Sequence, residues 1–166
     1  MAPTDKDTSL HELVLKLGGD KSVRLSSLLE QGSLALVFVR DFACPHARQH
    51  LTQLRNLKGR NLYAVVMNTE REVLALPEAI RTRLKFVLDP NRKLYEFFGM
   101  LRLTQEEATR VAGVPNVRNG ADLQQLGGCV VLSPRGRIAW TYQSQNPADP
   151  APVLEIERQL RLASHR

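Results

Sequence analysis

Two apolar runs dominate the chain. Leu34-Ala35-Leu36-Val37-Phe38-Val39 and Leu62-Tyr63-Ala64-Val65-Val66-Met67 carry no alternating polar positions, as expected of strands covered on both faces of a sheet. Between them the apolar residues recur as Ala47, Leu51, Leu54 and Leu57, a helical spacing. Pro45 suits the first helical turn, and Gly59 supplies a stop. The segment therefore reads as strand, helix, strand, with the two strands parallel. Ahead of it, Val23-Arg24-Leu25 predicts a short edge strand, followed by a turn or short helix from Ser26 to Gln31 and a break at Gly32.

Downstream, Glu72 to Leu84 has helical composition that Pro77 divides. Phe86-Val87-Leu88 predicts a short strand ending at Asp89-Pro90, and Arg92 to Phe98 a helix stopped by Gly99. The stretch 103–126 mixes charge with Gly113, Pro115 and Gly120. It reads as a loop or lid-like insertion with a short helix around Gln105 to Val111. Cys129 to Leu132, the turn Ser133-Pro134-Arg135-Gly136 and Ile138 to Tyr142 predict an antiparallel hairpin. Pro147, Pro150 and Pro152 mark a loop, and Val153 to Leu162 a closing amphipathic helix.

This order predicts an α/β, thioredoxin-like three-layer fold, a central mixed β-sheet flanked by helices. The length of 166 residues fits one domain spanning 1–166, with 1–10 a flexible tail. A formal net charge of +6 raises the question of nucleic acid. The arginines are dispersed and aromatics are scarce, so the expectation is a solvated positive surface and no nucleic-acid partner. The first ten residues lack the basic-then-apolar pattern of a signal peptide, and no apolar run approaches membrane-spanning length. The chain is expected to be soluble and cytoplasmic, with no membrane association.

Only two cysteines, Cys44 and Cys129, are present, too few and too far apart for a disulfide scaffold or a zinc knuckle. In a reducing compartment a lone reactive cysteine is usually catalytic or redox-sensing. Cys44 falls where the apolar strand ends and the helix begins, in Asp41-Phe42-Ala43-Cys44-Pro45-His46-Ala47-Arg48. Unpaired N–H groups and the helix dipole there favour the thiolate over the thiol. His46 either tunes the thiol or faces solvent, and Arg48, one helical turn after Cys44, either acts with it or pairs with a surface carboxylate. Arg40 or Arg48 could offset the charge of Asp41. His46 and His50, spaced i, i+4, could join Cys44 on a metal, but both also read as exposed helix residues and no metal site is expected. No phosphate-cradling loop, His-Glu-x-x-His or Gly-x-Ser-x-Gly occurs, and no cofactor is implied. Cys129 is either a resolving thiol or a small buried strand residue.

Phe38-Val39-Arg40, Cys44-Pro45 with Arg48, Leu88-Asp89-Pro90 with Tyr95, Gly99-Met100 and Gly127-Gly128 carry a resemblance. Diffusely, from about Val23 to Leu160, the chain resembles the peroxiredoxin-like 2 branch of the alkyl hydroperoxide reductase/thiol-specific antioxidant superfamily. The Cys-Pro-His tripeptide is also similar to the active site of the bacterial oxidase DsbA. Two departures matter. Ala47 stands where a Cys-x-x-Cys enzyme keeps its second thiol, which disfavours dithiol exchange. Typical peroxiredoxins carry Pro-x-x-x-Thr-x-x-Cys, and the corresponding positions here are Val37 and Asp41. An acidic Asp41 beside the thiolate would oppose its ionisation and repel a hydroperoxide's developing charge.

The resemblance implies a thiol-dependent, antioxidant oxidoreductase with Cys44 as nucleophile and Cys44, His46, Arg48 and Cys129 as site residues. A small-molecule oxidant or a thiol/disulfide would be its substrate, with an external thiol or Cys129 as the resolving partner. The alternative is a non-catalytic thioredoxin-like module that binds a partner protein or small ligand. The sequence leaves the oligomeric state open.

Overall fold

Side chains alternate across a sheet, so a strand that is apolar at every position must feed two core halves, and the long runs here do so. The structure is a computed structural model that describes residues 10–57, 60–111 and 121–166. Ala35, Val37 and Val39 enter one half of the core while Leu34, Leu36 and Phe38 enter the other. Strands β3 (Leu34–Phe38), β4 (Leu62–Val66) and β6 (Gly128–Leu132) are buried at every residue.

The elements begin with β1 (Val14–Lys16) and β2 (Ser22–Arg24), which pair antiparallel in a separate two-stranded sheet. Helix α1 (Leu25–Leu29) follows directly, so Leu25 starts a helix rather than ending the expected strand. Next come β3, α2 (Pro45–Leu54), a 3-10 turn at Arg55–Leu57 and β4. Helices α3 (Glu70–Leu74) and α4 (Glu78–Arg81) are separated at Pro77, as the sequence predicts. Then follow β5 (Lys85–Leu88), α5 (Lys93–Phe97), α6 (Gln105–Val111), β6, β7 (Ile138–Gln143) and α7 (Val153–Ala163). The five-stranded sheet has the order β5-β4-β3-β6-β7. Strands β3, β4 and β5 are parallel, while β6 and β7 are antiparallel to their neighbours. This is the expected α/β architecture of a mixed sheet flanked by helices. No described helix is long and apolar enough to cross a membrane.

One core half takes Ala47, Leu51 and Leu54 of α2, Val73 and Ile80 of α3 and α4, and Ile156 and Leu160 of α7. The other takes Leu15, Leu25 and Leu28 from the N-terminal elements and Leu94, Tyr95 and Phe98 around α5. Leu10 is fully buried there, so the packed structure includes the last position of the expected tail. The remainder of that tail, the Gly59 stop, and Gly113, Pro115 and Gly120 lie outside the described residues.

Gly127-Gly128 is a packing requirement. A Cβ on Gly127 would sit 2.1 Å from the Phe38 carbonyl oxygen, and one on Gly128 2.2 Å from that of Tyr142. Only glycines let the start of β6 lie this close to the ends of both neighbouring strands.

Candidate active site

The chain leaves the sheet at Phe38 and returns as α2 six residues after Val39, so whatever lies between is held at the C-terminal end of the parallel strands. Tyr95 fixes that end. Its buried hydroxyl donates to the carbonyls of Val39 at 2.6 Å and Val65 at 2.9 Å, tying β3's exit to β4. Burial first, then the negative charge of Asp89, Asp41 and Asp122, holds its phenol protonated well above the usual range. Asp89 anchors α5 by accepting from the amides of Lys93 at 3.1 Å and Leu94 at 2.9 Å.

Cys44 is the N-cap of α2, extended at φ −81° and ψ 123°, with Pro45 in the first turn. Its amide donates to the Asp41 carbonyl at 2.9 Å, closing a turn, and its carbonyl accepts from Ala47 and Arg48. The side chain caps no helix amide. Its partner is cationic: Arg40 Nη1 donates to Sγ at 2.8 Å. Two more of its five N–H groups are committed, with Nε donating to the Gln125 carbonyl at 3.2 Å and Nη2 to the Leu123 carbonyl at 2.7 Å. Cys44 is 2 % exposed and Arg40 7 %, so this charged hydrogen bond is shielded from bulk water.

Asp41 has its own set of donors. It is 1 % exposed, and its carboxylate accepts from Ala43 N at 3.0 Å, Asn68 Nδ2 at 3.3 Å and Asp122 N at 3.1 Å. The anion organises the turn and the facing segment, and the charged group in contact with the sulfur is Arg40. Each of the two buried charges has hydrogen-bond partners of its own, as burial of a charge requires.

Of the residues singled out in the sequence, the structure brings Arg40 to the sulfur of Cys44. His46 and Arg48 are exposed on the first turns of α2, and neither side chain hydrogen-bonds to Cys44. His46, with Arg40, Gly127, Ser144 and Pro147, lines a cleft of about 20 Å³ beside the site, enough for roughly one water-sized group. His50 corrects the expectation that both histidines are exposed. It is 4 % exposed, its Nε2 donates to the Ala151 carbonyl at 2.9 Å, and burial, partly offset by that bond, lowers its pKa to about 4. With its nitrogen so committed it is a core histidine tying α2 to the loop before α7. No cluster of three or more potential metal ligands occurs among the described residues.

Cys129 lies inside β6, in register with Val37 on one side and Tyr142 on the other. It shares a core half with Cys44, and both cysteines are free. Full burial pushes its thiol well up from the usual range.

In the sequence Arg40 reads as a residue flanking the cysteine that could offset Asp41, and as part of the Phe38-Val39-Arg40 match. Its role depends on carbonyls more than eighty positions away, which no local pattern reveals. Asp122 and Gln125, within the stretch that reads as a loop, were missed for the same reason.

No protein-family model and no curated protein matches the chain. Solved structures do. A cysteine-to-serine mutant of PrxQ from Xylella fastidiosa superposes with a TM-score of 0.68 at 15 % identity, over 95 % of this chain and 91 % of that one. The bacterioferritin comigratory protein of Xanthomonas campestris gives 0.66 at 15 % identity over 100 % and 98 %. AhpC of Enterococcus faecalis gives 0.56 at 18 % identity over 87 % and 81 %. The chain has a peroxiredoxin-like thioredoxin fold.

Proposed function

We infer that the protein is a thiol-dependent oxidoreductase of peroxiredoxin-like type that uses Cys44 as its single reactive cysteine. The observation that carries this reading is the 2.8 Å hydrogen bond from the Arg40 guanidinium to Cys44 Sγ at a helix N-terminus. A buried cation donating to sulfur stabilises the anion, and the anion is the nucleophile. Similarity in fold to a protein studied for alkyl peroxide reduction supports a hydroperoxide as the oxidant.

In the first step the Cys44 thiolate attacks the outer oxygen of the hydroperoxide. The O–O bond breaks, an alcohol or water leaves with a proton, and Cys44 becomes a sulfenic acid. The Arg40 guanidinium, with an N–H left on each of Nη1 and Nη2, would also meet charge developing on the peroxide oxygens. His46 and Arg48, at the rim, are proposed to guide the oxidant or reductant rather than to touch the sulfur. A thiol from outside the chain then condenses with the sulfenic acid, releasing water, and a second thiol frees Cys44 as the reductant becomes a disulfide. Cys129 fits the resolving role poorly because a protonated, strand-buried thiol is a weak nucleophile. The site belongs in a reducing compartment, where such thiols are abundant.

Trapping with dimedone after mild peroxide treatment tests the reading. The expected product is a dimedone adduct on Cys44 alone, absent in Cys44→Ser, with peroxide consumed catalytically when a small thiol is supplied. No adduct and no consumption by the folded protein would leave a thioredoxin-like binding module.

A further inference from the structure

Arg40 can hold the sulfur only if the two carbonyls that hold Arg40 are themselves fixed. Both belong to the segment 121–127, whose Asp122 amide also meets the buried carboxylate of Asp41. Two devices fix that segment. One is a short ladder in which Leu103 N donates to the Gln124 carbonyl at 2.8 Å and Leu126 N to the Leu101 carbonyl at 3.0 Å.

The other device is Asp122. Its Oδ1 accepts from the amides of both Gln124 and Gln125 at 3.1 Å, folding the segment into a tight turn. Its Oδ2 accepts from Arg92 Nε at 3.1 Å and from Arg102 Nη1 at 3.0 Å. Its own amide donates to the buried carboxylate of Asp41. One residue thus joins α5's entry and the ladder through its carboxylate and the Cys44 turn through its amide. Arg102 reinforces the arrangement through Gln125 Oε1 at 3.1 Å.

We propose that Asp122 is a positioning residue for Cys44, acting through the carbonyls of Leu123 and Gln125 that aim the Arg40 guanidinium at the sulfur. The inference rests on the reading of Cys44 as the reactive thiol. Asp122 touches neither the sulfur nor any group expected to react. Its effect therefore has to vanish when Arg40 can no longer deliver charge.

A double-mutant cycle read by iodoacetamide alkylation of Cys44, at a fixed pH of about 6 where a free thiol is almost unreactive, supplies the test. Asp122→Asn keeps an oxygen for the two amides but presents an uncharged amide to two guanidiniums. It should slow alkylation by roughly three- to tenfold, the size of one weakened hydrogen bond, while circular dichroism stays native. In an Arg40→Gln background the same substitution should cause no further loss. Should Asp122→Asn unfold, Arg92→Gln, which removes one of the two cations on Asp122, carries the same cycle. A fast, Arg40-dependent wild type with an unaltered Asp122→Asn rate overturns the inference alone, as does an equal loss in both backgrounds. A wild-type rate no higher than a free thiol's and indifferent to Arg40→Gln overturns the reading of Cys44, and the inference with it.

Discussion

Cys44 and Cys129 are both free, both buried and both packed into the same half of the core, yet their surroundings differ. Cys129 sits inside a strand paired on both sides, and burial is what holds its thiol protonated. Cys44 sits where regular hydrogen bonding stops, at the junction of a strand exit and a helix start, and a buried guanidinium donates to it. Burial by itself disfavours a thiolate, whereas a fixed guanidinium at hydrogen-bond distance favours one. The difference lies less in the cysteines than in what the backbone leaves unpaired around them.

The largest expected effects come from breaking the frames that hold each cysteine. The helix of Cys44 is tied down by His50, whose pKa falls from 6.5 to about 4 in the folded state. The unfolded chain takes up that proton more readily, so the stability His50 contributes is complete above about pH 6.5 and is lost as pH drops toward about 4, a change of about 3 kcal/mol. Urea unfolding across that window should show the loss, and His50→Gln should flatten it. The strand of Cys129 depends on Gly127, where a Cβ would meet the Phe38 oxygen at 2.1 Å. Gly127→Ala should cost roughly 2–3 kcal/mol of unfolding free energy by forcing β3 and β6 apart.

Smaller changes sharpen the contrast. Arg40→Gln removes the charged hydrogen bond to Cys44, worth about 1.5–3 kcal/mol, and should slow alkylation of Cys44 by roughly ten- to a hundredfold, making it behave more like Cys129. Cys129→Ala should cost only about 1 kcal/mol of stability through a small cavity and leave the reaction of Cys44 with peroxide unchanged in stopped-flow measurements.

The fold was legible because its signals are local. Uninterrupted apolar strands, the helical spacing after Pro45, Pro77 and the Gly136 turn each act within a few residues, and every element but β1 is legible to within two or three positions of its bounds. The pair β1–β2 was only half seen, since β1 is three residues long with a single buried side chain, Leu15, too little to make a period. At the site, Cys44 could be read from its place between strand and helix. Arg40, Asp122 and Gln125 could not, because what they do is defined by contacts between positions far apart in the chain. His50 was misjudged for a related reason. Its burial follows from the loop at Ala151 folding over α2, which helical spacing does not encode.

The central claim, a one-cysteine centre at Cys44 set apart from an inert Cys129, is tested most directly by peptide mass spectrometry of the non-reduced protein after brief peroxide exposure with glutathione present. The account predicts Cys44 carrying sulfenic acid or a glutathione disulfide while Cys129 stays a free thiol, with neither product in Cys44→Ser. An intramolecular Cys44–Cys129 disulfide, or oxidation of neither cysteine in the folded protein, would contradict it.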